Sequence, residues 1–189
     1  MMPNLQFKLT PQDYLVWERS QKIRHEYVDG ETFAMAGTSR KHNLINVNIL
    51  ATLHAQLRGQ PCEIYTNDMR VKINANNAYV YPDIVIACDE PLFEDNDVDT
   101  LLNPLLIIEI LSDSTESYDR GTKFKFYRTL PSLQQYILIA QHECWVECYT
   151  RQAHDQWLLT EYRQLEDTVI LAAIDCAMKL QLIYERVAI

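Results

Sequence analysis

The chain has 189 residues, 48% hydrophobic and 23% charged, which is enough apolar material for one sizeable core and excludes the disordered class. Seventeen basic against 26 acidic residues leave a formal charge of −9, which disfavours loose, sequence-independent attachment to nucleic acid. The longest apolar stretches, 105–111 and 169–174, are too short to span a bilayer as helices. The amino terminus has no basic block followed by an apolar one, so a cytoplasmic protein with no membrane segment and no secretory leader is expected.

The elements follow in chain order. Thr10-Pro11-Gln12-Asp13 is a helix start, with Thr10 as cap, and the helix is predicted to run through Leu15 and Trp17 to about Ser20. His25–Val28 and Glu31–Ala34 read as strands joined by a tight Asp29-Gly30 turn. Ser39 can cap a second helix whose apolar side carries Leu44, Val47, Leu50, Leu53 and Leu57, stopped by Gly59-Gln60-Pro61. Residues 62–73 are largely extended, 74–77 turn, and 79–88 form another strand. Residues 89–99 carry six acids and read as an exposed, mobile loop.

Residues 105–111 form a nearly continuous apolar strand, the pattern of a strand covered on both faces. A helix is predicted over 118–129, then strands at Gln135–Ala140, 144–150, Trp157–Tyr162, Thr168–Leu171 and 180–184. The strand–helix–strand unit over 105–140 has the length of a crossover between parallel strands. The five cysteines, mostly in strand-like apolar company, are expected to be buried thiols in a reducing compartment. Cys144 and Cys148 share one face of an alternating run, where a metal knuckle would need a turn and further ligands, and His142 and His154 are weak candidates for those, which argues against structural zinc.

Glu109 is the most informative single residue, because it places a charge inside that apolar strand. Such a carboxylate must be paired, hold a metal, or lie at the strand's open end, where it could also cap the amides of Ser112, Ser114 or Thr115. Asp83 follows Pro82 at the entrance of the strand 84–87, in a position that could face Glu109; alone, Pro-Asp is equally a turn. Two acids brought together repel unless a cation lies between them, and magnesium accepts two protein carboxylates while keeping several waters. Asp119, Lys123 and Tyr127 are four apart in succession and form one helical stripe, whereas Lys125 points elsewhere. Asp119 and Lys123 could also be an ordinary surface pair worth about 0.3–0.5 kcal/mol.

At these residues the chain resembles the Uma-type restriction-endonuclease family of the PD-(D/E)XK nuclease superfamily. The resemblance covers about residues 10–185 and rests on Tyr27-Val28-Asp29-Gly30-Glu31, His42, Pro82-Asp83-Ile84-Val85, Leu106-Ile107-Ile108-Glu109-Ile110-Leu111-Ser112, Ser114-Thr115, Asp119, Lys123, Tyr127 and Gln135-Tyr136. It implies an α/β, restriction-endonuclease-like domain over 1–189, with a mixed sheet flanked by helices and extra carboxy-terminal strands. It further implies Asp83 and Glu109 as ligands of Mg2+ (Mn2+ as substitute), Lys123 as the catalytic lysine, and Glu26 and His42 as accessories in the same cleft. DNA is the implied substrate, and a homodimer is expected because two sites would serve two strands. One departure matters: the superfamily pattern carries a lysine two positions after the second acid, where this chain has Leu111. Lys123 must therefore reach inward from the helix. The reading from another class is a nuclease-fold interaction module without catalysis, which would be favoured if Glu109 and Lys123 lay on different sides of the helix–sheet contact.

Overall fold

The structure, a computed structural model, describes residues 8–35 and 37–189. Residues 1–7, on which the expectation of no leader bears, lie outside the described residues. Helix α1 (Pro11–Glu18) starts as its sequence dictates: the Thr10 hydroxyl accepts the Asp13 N–H at 3.1 Å and Pro11 occupies the first turn. Strands β1 (His25–Val28) and β2 (Glu31–Ala34) pair antiparallel, and Asp29 and Gly30 both take positive φ, 45° and 97°, as a tight two-residue hairpin turn requires. Helix α2 (Arg40–Gln56) is capped by Ser39, whose hydroxyl accepts the His42 N–H at 3.0 Å, and buries Ile45, Ile49 and Leu53, each four residues from the last.

Strands β3 (Cys62–Thr66), β4 (Arg70–Ile73), β5 (Ala78–Val80), β6 (Ile84–Cys88) and β7 (Thr100–Leu101) follow. Next come β8 (Leu106–Leu111), a composite helix, and β9 (Gln135–Ala140). The chain ends with β10 (Val146–Arg151), β11 (Trp157–Tyr162), β12 (Thr168–Leu171), β13 (Cys176–Lys179) and a closing helical turn, Leu180–Ile183. They assemble into a five-stranded sheet of order β2-β1-β5-β4-β7, a mixed six-stranded sheet of order β11-β10-β9-β8-β6-β3, and the β12-β13 hairpin. All six residues of β8 are buried, and the strand lies between antiparallel β6 and parallel β9, as its apolar run predicts.

Strand parity then sorts the core. Ile84, Ile86, Leu106, Ile108, Ile137 and Ile139 face α2 and the carboxy-terminal hairpin. Val85, Ala87, Ile107, Leu111, Tyr136 and Leu138 face the other way, toward the five-stranded sheet and Tyr127. Asp83 and Glu109 share the parity of this second set.

Several expectations need correction. The extended run 62–73 is cut into β3 and β4 by a turn in which the Met69 N–H donates to the Thr66 carbonyl, which takes the chain from the six-stranded to the five-stranded sheet. The run 79–88 is cut into β5 and β6 where the Tyr81-Pro82-Asp83 link takes it back. The helix predicted over 118–129 is α3 (Glu116–Tyr118), a π-helical turn over Asp119–Lys123 and α4 (Phe124–Tyr127). Residues 180–183 are helical rather than a strand, since Leu180 and Ile183 are buried at helical spacing while Gln181 and Leu182 are exposed; the last strand is β13 instead. The acidic run 89–99 is tethered: Asp95, Asp97 and Asp99 grip Arg19 at 2.7, 2.7 and 2.9 Å, and Asp99 also pairs with the buried Arg70. Thiols are found at Cys144, Cys148 and Cys176, but Cys62 and Cys88 are disulfide-bonded, because the β3–β6 register sets them directly opposite one another. Among the described residues no helix is long and apolar enough to cross a membrane.

Candidate functional site

Asp83 and Glu109 meet across the end of the β6–β8 pair. The Ile110 N–H donates to Asp83 Oδ2 at 2.7 Å, and the Asp83 N–H makes a longer contact with Glu109 Oε2 at 3.3 Å. His42, carried in by the first turn of α2, sets Nε2 3.1 Å from Asp83 Oδ2. From the opposite side the composite helix delivers Lys123 and Tyr127, whose ammonium and hydroxyl donate to Glu109 Oε1 at 3.0 and 2.9 Å. Glu26, on β1 of the other sheet, lies 3.1 Å from the Lys123 ammonium and accepts the Tyr81 N–H at 3.2 Å. Asp119 is 3.4 Å from Lys123, an ionic contact too long for a strong hydrogen bond.

All seven residues singled out from sequence thus converge, and Lys125 is exposed as anticipated. The surface-pair reading of Asp119 and Lys123 fails, since they are 3% and 6% exposed. Both lie in the π turn, of which they are the two buried residues. Glu109 does not cap the following serines; its oxygens are taken up by Lys123, Tyr127 and the Asp83 amide. Leu111, in the position where the superfamily pattern has lysine, is packed in the second core cluster.

Three residues escaped the sequence reading of the site. The Tyr136 hydroxyl donates to the Asp119 carbonyl at 3.1 Å, fixing the π turn to the sheet. Gln141 holds Ser39 by a side-chain hydrogen bond and so ties the start of α2 to the end of β9. The Tyr118 ring lies 5.7 Å from the Lys123 ammonium. Tyr136 carries the family resemblance without a role in the site, and its place on the Glu109 face follows from the β8–β9 register; nothing local marks the other two.

The electrostatics describe one condition: three carboxylates, Glu109, Glu26 and Asp119, surround one ammonium, with Asp83 beside Glu109 as a fourth acid. Burial pushes the Glu109 carboxyl well above the ordinary carboxylate range; Lys123 opposes this, and Asp119, Asp83 and Glu26 add to it. Burial likewise raises Asp119, again against Lys123. Burial works to lower Lys123, but Glu109, Glu26, Tyr127 and Asp119 outweigh it, and its pKa is raised well above that of ordinary lysine. Lys123 is therefore a fixed cation, and the acids around it are short of positive charge.

On the paired acids Asp83 and Glu109 one oxygen each remains for a ligand. Asp83 Oδ1 accepts no hydrogen bond among the described residues, and Glu109 Oε2 has only the long amide contact. They open on a cleft of about 820 Å3 lined also by Glu26, Ser39, His42, Tyr118, Lys123 and Gln141. Among the described residues no three His, Cys, Asp or Glu side chains are grouped to hold a metal ion. A pair of hard oxygens from neighbouring strands, in a site lacking positive charge, nevertheless fits a magnesium-type ion that keeps most of its waters.

Comparison with known proteins agrees with this geometry. The family model described as "Uma2: Putative restriction endonuclease" matches residues 11–182. Among curated proteins the chain is similar to two uncharacterized proteins of Synechocystis sp. (strain ATCC 27184 / PCC 6803 / Kazusa). It is 35% identical to slr1290 over 181 residues, covering 96% of this chain and 94% of that protein. It is 40% identical to sll1609 over 153 residues, covering 81% and 86%. The fold matches the crystal structure of a "putative nuclease belonging to DUF820" from Anabaena variabilis ATCC 29413, with a TM-score of 0.77 and 15% identity over 95% of this chain and 99% of that one. With the model spanning almost all of the described residues and the helix-borne lysine at the paired acids, the chain belongs to the Uma2 family.

Proposed function

We propose that the protein is a divalent-metal-dependent endonuclease that hydrolyses DNA phosphodiester bonds, acting as one cytoplasmic domain. The observation that carries this reading is the arrival of the Lys123 ammonium, from the helix after β8, 3.0 Å from Glu109 beside Asp83. Asp83 and Glu109 would hold Mg2+, with Mn2+ as substitute. Bound there, the ion would supply Lewis acidity toward the phosphate and lower the pKa of a coordinated water.

The chain's own residues do the rest. Lys123, held protonated by its carboxylates, donates hydrogen bonds: it orients the attacking water and balances charge developing on the phosphate, and it does not act as a base. Tyr127 fixes Glu109, Glu26 and Asp119 fix Lys123, and His42 steadies Asp83. Hydrolysis forms one phosphorus–oxygen bond to water and breaks one to the leaving nucleoside, which takes up a proton. A homodimer would set two such sites against two strands, and light scattering across a concentration range tests it, a persistent monomer removing that element.

The direct test incubates plasmid, linear duplex and single-stranded DNA with the protein in magnesium or manganese. Cleavage by the native chain and none by Asp83→Ala is expected. Cleavage that is absent throughout, or unchanged in Asp83→Ala, favours the interaction-module reading instead.

A further inference from the structure

The acids assigned above lie on the floor of the cleft, and what surrounds them constrains what can reach them. Glu109, Asp119, Glu26 and Lys123 are all buried. Duplex DNA carries its phosphates on the outside of a broad, stiff cylinder, whereas a single strand can bend its backbone down into a recess.

The charge of the lining points the same way. The side chains able to carry positive charge in the cleft are Lys123, His42 and His142, and no arginine lines it among the described residues. Lys123 is committed to three carboxylates, and His142 lies 3.2 Å from Asp113. Duplex affinity rests on Lys and Arg neutralising several phosphates at once, and this cleft does not offer them. Arg40 and Lys41 fall in sequence between the lining residues Ser39 and His42, and neither lines the cleft.

The walls supply a different kind of contact. Phe33, on the edge strand β2, is 51% exposed, stacks on no other ring among the described residues, and lines the cleft with Phe126 and Tyr118. Met35, Ala34 and Val28 continue the apolar surface beside it. A large exposed aromatic with no packing role, at the mouth of a cleft whose floor holds the acids, suits a nucleobase, because every base has a face that stacks.

We propose that the cleft takes single-stranded DNA, with a base stacked on Phe33 and the backbone led down to Asp83 and Glu109. This rests on the hydrolysis reading and adds its substrate class. The experiment is fluorescence anisotropy of one labelled oligonucleotide, single-stranded and annealed to its complement, with the full chain in calcium, which binds the same kind of oxygen ligands. The single strand should bind at least about tenfold tighter than the duplex. Phe33→Ala should lose about tenfold of that affinity, and Phe33→Trp should keep it. Equal or tighter binding of the duplex, native affinity in Phe33→Ala, or no binding of either form overturns the inference. Cleavage in magnesium, read alongside, separates the two claims. Duplex cut as fast as single strand overturns the inference and leaves hydrolysis standing. Tight, Phe33-dependent single-strand binding without cleavage overturns hydrolysis and leaves the stacking assignment standing.

Discussion

The Lys123 ammonium and the Tyr127 hydroxyl share one oxygen of Glu109, at 3.0 and 2.9 Å, so both donors leave the other oxygen turned toward Asp83. One carboxylate thus serves two neighbours: Oε1 anchors the helix and Oε2 faces the cleft. Removing either side of this arrangement has separable consequences.

Lys123→Ala should cost about 3–5 kcal/mol of stability, because it leaves buried carboxylates without their cation. It should also lower cleavage by at least about 100-fold. Lys123→Met, which keeps the stem but not the charge, should recover part of the packing and none of the turnover. Lys125→Ala, at an exposed position, should leave both nearly unchanged. Thermal melts beside initial cleavage rates check this; equal rate losses in the two alanine variants would contradict it.

Acid should unfasten the tether of the segment 89–99. Burial works to raise Asp99, but its hydrogen bonds to Arg19 and Arg70 overcome this and hold it well below its ordinary 3.8. A carboxyl depressed in the folded state contributes stability that is present above 3.8 and lost as the pH falls through its folded value. Melting temperatures taken from about pH 7 to about pH 3 should therefore fall toward the acid end. Asp99→Asn should melt lower at neutral pH and depend less on acid. An identical acid profile in that variant would remove Asp99 from the account.

The cysteines give a mass that can be counted. Alkylation of the unfolded chain without reductant should label three thiols, Cys144, Cys148 and Cys176, and five after reduction. Five labelled thiols without reductant would mean that Cys62 and Cys88 are not bonded.

Much of the site was legible because chemistry at odds with its surroundings is visible locally. A glutamate inside Leu106–Leu111 has few explanations, and β8 is buried as that run demands. The Asp119–Lys123–Tyr127 spacing held although the segment is not one regular helix: the π turn at Asp119–Lys123 alters the winding, yet Lys123 and Tyr127 still reach the same oxygen. What stayed hidden depends on partners distant in sequence. Glu26 was reached only through the family resemblance, because it meets Lys123 where the two sheets converge, and a charge such as Asp99 looks solvated until Arg19 and Arg70 are placed beside it. The Cys62–Cys88 bond follows from the register of β3 on β6, which alternation alone does not specify. Phe33 is simply one aromatic on a short strand until the cleft beside it is known.

The central claim is that Asp83 and Glu109 together hold one divalent ion. Crystals soaked in manganese and measured at an anomalous wavelength test it most directly. The account predicts one anomalous peak within about 2.0–2.3 Å of Asp83 Oδ1 and of Glu109 Oε2, with Lys123 still beside Glu109 Oε1, and no peak in Asp83→Ala. Manganese bound elsewhere, or a cleft left empty at saturating manganese with the two carboxylates turned apart, would contradict it.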